Sequence, residues 1–116
     1  MIIKRGGIYL AALDPAIGHE ISKTRPVLVI SNNKNKTLSG TATVLPITSK
    51  SLKRIYPFEV WIEKGKGNLP KNSKIKADQI RTLDKRRLIK TIGMLSDNDM
   101  VVVEKAVKIH LDLNII

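Results

Sequence analysis

Five consecutive residues, Pro26-Val27-Leu28-Val29-Ile30, restrict what this chain can fold into more than any other stretch. They are apolar, rich in β-branched side chains, free of charge and too few for a helix, so they read as a strand buried on both faces. Such a strand needs cover on either side, and 116 residues suffice for one core in a single domain spanning residues 1–116. Pro26 suits the strand's first residue, where a missing N–H costs no ladder bond, and it drives Arg25 towards extended geometry. Arg25 therefore leaves the preceding loop at a defined angle. A charged fork at the mouth of a rigid strand is well placed to grip an anion, and the polar Gly18-His19-Glu20 lies just upstream.

The other apolar runs are short and separated by turn residues. Residues 8–13 follow Gly6-Gly7 as a first strand that Asp14-Pro15 ends, and residues 16–24 make a long polar connection of the kind that often carries function. Residues 32–40 form a turn or short irregular helix. Thr43-Val44-Leu45-Pro46-Ile47 is again extended, Pro46 pointing to an edge or bulge, and Thr48-Ser49 precede the basic loop Lys50-Ser51-Leu52-Lys53-Arg54. Phe58, Val60 and Ile62 alternate with Pro57, Glu59 and Trp61, which predicts a half-buried strand with Phe58 on its apolar face and Trp61 on the other. Residues 64–72, with Gly65, Gly67 and Pro70, read as a mobile basic loop. Residues 73–83 read as one or two strands, residues 84–87 as a tight charged turn or single helical turn, and residues 88–95 as a further strand. Ser96 then caps the one convincing helix, with acids in its first turn and Met100, Val103, Val107 and Leu111 at helical spacing. Many short strands and one C-terminal helix predict a mostly β fold, a small and mostly antiparallel barrel.

Charge narrows the partners. Of a net +11, the segment between residues 34 and 90 holds 15 Lys and Arg against 4 Asp and Glu, and so carries the whole excess. A polyanion is the natural partner, nucleic acid before an acidic protein. The absence of cysteine excludes a disulfide framework, a thiolate metal site and a cysteine nucleophile, and it fits a reducing compartment. His19 and His110 lie far apart with no second ligand spaced to match either, so no metal is expected. No apolar run approaches the ~20 residues of a membrane span, which points to a cytoplasmic protein without membrane contact.

Several of these motifs together resemble the MazF/PemK (Kid) toxins of bacterial toxin-antitoxin systems. The resemblance rests on Arg5-Gly6-Gly7-Ile8-Tyr9 with Leu13-Asp14-Pro15, and on Gly18-His19-Glu20 with Thr24-Arg25-Pro26. It continues through Pro46-Ile47-Thr48-Ser49, Asp78-Gln79-Ile80-Arg81-Thr82-Leu83-Asp84 and the closing helix, covering nearly the whole chain. It implies an SH3-like barrel of the MazF/PemK/CcdB kind and a homodimer. It also implies a metal-independent, cofactor-free endoribonuclease, an mRNA interferase cutting single-stranded RNA at short sequences. A cognate antitoxin would bind the same groove. Family members link catalysis to the residues standing here as Arg25 and Thr48, while Kid-like members emphasise those standing as His19 and Asp78. Glu20 and Gln79 match RNA-binding positions, and Ser49, Lys50, Lys53, Arg54, Lys76 and Arg81 are further candidates for RNA contact. Lys76 keeps the charge of the arginine that Kid-like toxins carry but not its fork.

The residue types suit the implied chemistry. Metal-free RNA cleavage needs a base for the ribose 2′-OH, cationic or hydrogen-bonding support for the crowded phosphorane, and an acid for the departing 5′-oxygen. A guanidinium such as that of Arg25 grips phosphate well but, with a pKa above ~12, is a poor base. An imidazole titrating near ~6.5 serves as either acid or base, so His19, Asp78 and Glu20 are the candidate proton acceptors. Thr48 can donate one hydrogen bond. All of these lie at strand ends or in adjoining loops, where one groove could collect them. Two other functions compete: a non-enzymatic gyrase poison similar to CcdB, and a basic barrel that binds nucleic acid without cutting it.

Overall fold

A computed structural model describes residues 1–36 and 39–114, the side chains of residues 35 and 36 apart. Among the described residues seven strands form one antiparallel sheet: β1 (Gly7–Ala12), β2 (Thr24–Val29), β3 (Thr41–Thr48), β4 (Glu59–Ile62), β5 (Ser73–Lys76), β6 (Arg81–Asp84) and β7 (Leu88–Met94). The helix α1 (Asp97–His110) follows them. The strand order is β4-β5-β3-β2-β1-β7, with β6 joined to β3.

The sheet is organised on β3. Along one side it pairs with β2, Val27 opposite Pro46 through Val29 opposite Val44. Along the other side it has two successive partners: Thr41 to Val44 pair with β6, then Ile47 and Thr48 pair with β5. The chain between those partners forms a 3-10 turn, Ala77–Gln79. Residues 73–83 are therefore two strands, and the turn breaks their alternation. Pro46 lies on this central strand rather than an edge. It falls in the gap between the pairing with β6 and that with β5, where a missing N–H leaves no ladder bond unmade on that side.

Two cores lie on opposite faces of the sheet. One holds Tyr9, Ala11, Leu13, Val27, Val29, Val44, Leu83 and Leu88. Around it β7, β1, β2, β3 and β6 curl, and the 3-10 turn Lys85–Arg87 carries the chain from β6 straight into β7. Among the described residues β6 and β7 do not pair, so the structure is barrel-like without full closure. Arg87 stitches this seam through Nη1, which donates to the carbonyls of Ala12 (3.2 Å) and Asp14 (2.6 Å). The second core sets Ile8, Leu28, Leu45 and Ile47 against Val60, Ile62 and Ile75, with Met100, Val103 and Ala106 of α1 closing over them. Leu28 thus faces one core while Val27 and Val29 face the other, so β2 is buried on both faces, and β1 and β3 likewise give residues to both cores. The fold is mostly β with one C-terminal helix.

Local differences from the sequence-based expectations have physical causes. β2 starts two residues before Pro26, so Arg25 lies inside the strand opposite Ala11, not in the loop ahead of it. The expected turn at residues 32–40 contains a 3-10 turn at Asn33–Lys36, while Thr37 and Leu38 lie outside the described residues. Residues 64–72 are not a free loop. The 3-10 turn Lys66–Asn68 closes them, Gly65 N donates to Leu69 O at 2.9 Å, Lys64 N donates to Asn72 Oδ1 at 2.8 Å, and Leu69 is buried. On α1 the buried stripe is Met100, Val103 and Ala106, and Leu111 lies beyond the helix, exposed.

The 66–68 turn sits directly on β7. A Cβ built on Gly93 would stand 2.1 Å from Gly67 O, and Asn68 Nδ2 donates to Ile92 O at 2.9 Å. Gly67 has φ +59°, a left-handed conformation that glycine adopts freely. Gly93→Ala forces these two backbones apart and should lower stability by roughly 1–3 kcal/mol, the usual range for overpacking. A lowered urea midpoint with unchanged slope is the expected result.

Candidate active site

The connection at residues 13–23 is held at its base and at its tip. Leu13 N donates to Lys23 O (2.8 Å) and Lys23 N to Asp14 Oδ1 (2.9 Å). At the tip Gly18, at φ +59°, lets the chain turn, Glu20 N donates to Ile17 O (3.2 Å), and Ile17 N donates to Glu20 Oε1 (2.6 Å). Gln79 then clamps the segment to the 3-10 turn. Its Oε1 accepts from Ile21 N at 2.7 Å and its Nε2 donates to His19 O at 2.9 Å. The Gln79 amide, expected to contact RNA, is engaged with the loop backbone.

This clamp brings His19, Glu20, Asp78, Gln79 and Arg81 around one open cleft of about 610 Å³, with Ile17 and Ile80 beside them. Ile17 is 82% exposed and His19 and Glu20 are also exposed, so an incoming ligand reaches both titratable side chains. Arg81 is half-buried and Nη1 donates to Leu13 O at 3.3 Å, which orients the guanidinium along the cleft wall. Asp78 Oδ1 is buried and has no hydrogen-bond partner.

Arg25 and Thr48 belong to a neighbouring region. Continuing the β2–β3 register two residues past its last pair sets Arg25 opposite Thr48 on one face. Arg25 Nε donates to Ser22 O at 3.3 Å, and Arg25 lines a cleft of about 180 Å³ with Ile47, Ser49 and Lys71. Thr48 Oγ1 accepts from Lys50 N at 3.1 Å, turning the chain out of β3 and leaving its O–H to donate. Ser49 also borders a third cleft of about 500 Å³, with Lys53, Arg54, Tyr56 and Lys74. The Arg54 guanidinium covers the Tyr56 ring at 4.7 Å, and Tyr56 stacks on Phe58 with centroids 5.4 Å apart. Phe58 precedes β4 and belongs to this stack rather than to the strand's apolar face. The expected residues are therefore divided between separate clefts, because Asp78 and Arg25 stand on opposite flanks of β3.

Under the Asp78 cleft lies an ion network that the alternation of β4 concealed. Glu59 and Trp61 face away from the core as expected, yet the Glu59 side chain is 0% exposed while Trp61 is 45% exposed. Lys76 stands directly opposite Glu59 in the β4–β5 register, and Lys74 stands opposite Trp61. Lys76 Nζ lies 2.8 Å from Glu59 Oε2 and Lys74 Nζ 3.1 Å from Oε1. The segment before β4 folds over the group: Tyr56 N donates to Glu59 Oε1 (3.0 Å), and Lys74 Nζ donates to Arg54 O (3.3 Å). Lys76, another residue expected at RNA, is thus bound to Glu59. The signal in the sequence was Lys74 and Lys76 two apart on one strand and Glu59 at matching alternation on its neighbour. Burial pushes the Glu59 carboxyl up, but the hydrogen bonds from Lys76, Tyr56 N and Lys74 outweigh it and hold the pKa below the ordinary 4.5. Among the described residues, no group of three or more His, Asp or Glu is placed to hold a metal ion, and no helix is long and apolar enough to cross a membrane.

A depressed carboxylate stabilises the fold above its unfolded pKa and loses that contribution as pH falls through the folded value. Glu59→Ala strands two lysine charges and should cost about 3–5 kcal/mol at neutral pH, the range for breaking a buried pair. The gap from wild type should narrow below about pH 4 as Glu59 protonates, measured by urea unfolding across pH. Gln79→Ala should speed amide hydrogen exchange at Ile21 by at least about tenfold, because the clamp bond is lost, with a small change in global stability.

The comparisons with known proteins agree on one family. The model of the PemK-like, MazF-like toxin of type II toxin-antitoxin systems matches residues 4–111. Endoribonuclease MazF of Staphylococcus epidermidis is 43% identical over 113 residues, 97% of this chain and 94% of that protein. The crystal structure of MazF from Deinococcus radiodurans superposes with a TM-score of 0.83 at 25% identity, covering 97% of this chain and 99% of that one. Toxin MazF-mt6 of Mycobacterium tuberculosis gives 0.79 at 26% identity, covering 93% and 98%. Matched along nearly its whole length in sequence and in fold, the chain belongs to the PemK-like, MazF-like toxins of type II toxin-antitoxin systems.

Proposed function

We propose that this toxin is a sequence-specific, metal-independent endoribonuclease that cuts single-stranded RNA by attack of a ribose 2′-OH on the adjacent phosphate. The observation that supports this best is the single open cleft shared by His19, Glu20, Asp78 and Arg81. It places carboxylates, an imidazole and a guanidinium within reach of one phosphodiester, the inventory such a transesterification needs.

Asp78 takes the 2′-OH proton. Its carboxylate is partly exposed to the cleft while its buried Oδ1 accepts no hydrogen bond, whereas the Glu20 carboxylate already accepts from Ile17 N. As the 2′-oxygen to phosphorus bond forms, the bond to the 5′-oxygen breaks and His19 supplies the proton that this oxygen needs. The products are a 2′,3′-cyclic phosphate and a 5′-OH. Arg81 stabilises the phosphorane charge, while Arg25 and the Thr48 hydroxyl hold the strand in the neighbouring cleft. Ser49, Lys50, Lys53 and Arg54 extend the cationic path along the RNA backbone, which makes binding strongly salt-dependent. The active species is a cytoplasmic homodimer, and a cognate antitoxin with acidic and apolar side chains covers the same clefts.

Incubation of a long single-stranded RNA in EDTA tests the proposal. Wild type should give discrete fragments with cyclic phosphate ends, and a substrate carrying a 2′-deoxy residue at the cut site should stay intact. Asp78→Asn and Arg25→Ala should each lower kcat/KM by roughly 100-fold or more. Intact RNA with wild type would favour a binding protein or a gyrase poison.

A further inference from the structure

The ion network beneath the cleft is uneven. Lys76 Nζ is 2.8 Å from Glu59 Oε2 but 3.8 Å from Asp78 Oδ1, and only the first is a hydrogen-bond distance. Asp78 thus has one oxygen, Oδ1, buried beside a cation without a hydrogen bond, while the side chain as a whole stays 28% exposed to the cleft. Both extremes would spoil the carboxylate as a proton acceptor. An ammonium seated fully on Asp78 would hold the carboxylate ionised but weaken it as a base, and no ammonium at all would leave a buried oxygen prone to protonation.

Glu59 sets the intermediate geometry. The β4–β5 register places it directly opposite Lys76, and its Oε1 is occupied by Lys74 and by Tyr56 N, so Oε2 is left for Lys76. The side chain is fully buried and cannot exchange Lys76 for water. We infer that Glu59 is a positioning residue for the cleavage reaction: it draws the Lys76 ammonium off Asp78 and holds the cation beside that carboxylate without a hydrogen bond to it. This rests on the proposal that Asp78 takes the 2′-OH proton. Asp78 is faced by Lys76 from β5, with Lys74 behind it, by Glu59 from β4, by His19 and Glu20 from the 13–23 connection and by Arg81 from β6. From α1 come the apolar Val103, Ala106 and Val107, which share a core with Ala77 and Ile80, while His110 lies against Phe58.

The test is kcat and KM for RNA cleavage as a function of pH. In Glu59→Gln a negative charge is lost and Lys76 is released towards Asp78. Both effects favour the ionised carboxylate, so the acid limb of the kcat profile should move about 0.5–1 pH unit lower. The plateau kcat should fall roughly 3- to 10-fold because the base is weaker, with KM unchanged. Lys76→Met removes the cation and should move the same limb the opposite way. A network that only supports the fold would move neither limb. Should Glu59→Gln fail to fold by circular dichroism, Glu59→Asp retracts the carboxylate by one methylene and should shift the limb downward by a smaller amount. If Asp78→Asn keeps wild-type kcat, the role given to Asp78 falls and this inference with it. If Asp78→Asn is inactive while the Glu59 variant that folds and Lys76→Met keep the wild-type limb, the positioning role alone is overturned.

Discussion

The structure depends on β3 serving two strands along one side. β6 takes its first half and β5 its second, and the chain between them must leave the plane of the sheet to pass from one to the other. The 3-10 turn Ala77–Gln79 is that passage. Ala77 is buried as its anchor, Asp78 is brought to a cleft, and Gln79 is set where it reaches the backbone of the 13–23 connection. Pro46 marks the same place from the other strand. One irregularity in the pairing thus creates the turn, the cleft and the means of ordering the loop across it.

Electrostatics adds a second layer. A net charge of +11 describes the chain as a field for polyanions, but part of the cationic middle segment is turned inward. Lys74 and Lys76 meet Glu59 under the cleft, while Lys53 and Arg54 stay at the surface beside Tyr56. Charge here is placed in two ways: the exposed part presents a field to polyanions, and the buried part is paired with the carboxylate of Glu59. The distinction follows from burial, since a screened surface lysine contributes little locally and a desolvated one a great deal.

How far the chain could be read before its structure follows from the range of the interactions involved. Local ones were legible. Ser96 caps α1, its Oγ accepting from Asp99 N at 3.1 Å, and the run after Pro26 is a strand buried on both faces. The fold class followed from such pieces. Non-local ones were hidden. Alternation put Glu59 on the face away from the core, but its burial comes from the Arg54 and Tyr56 segment folding back, which no periodicity records. Pro46 argued for an edge because the hand-over along β3 depends on how two distant strands divide it. The candidate residues were found one by one, yet their division between clefts is decided by the two flanks of β3, and the Gln79 clamp joins residues 58 and 60 apart in sequence.

That clamp also orders events in time. The segment carrying His19 and Glu20 is made early, but the amide that holds its shape comes from Gln79, and the strand that seats the following turn against β1 comes later still, at Leu88–Met94. Contacts of long sequence separation form only after the intervening chain has closed its loop. A growing chain on the ribosome therefore carries an unassembled cleft until most of its length has emerged.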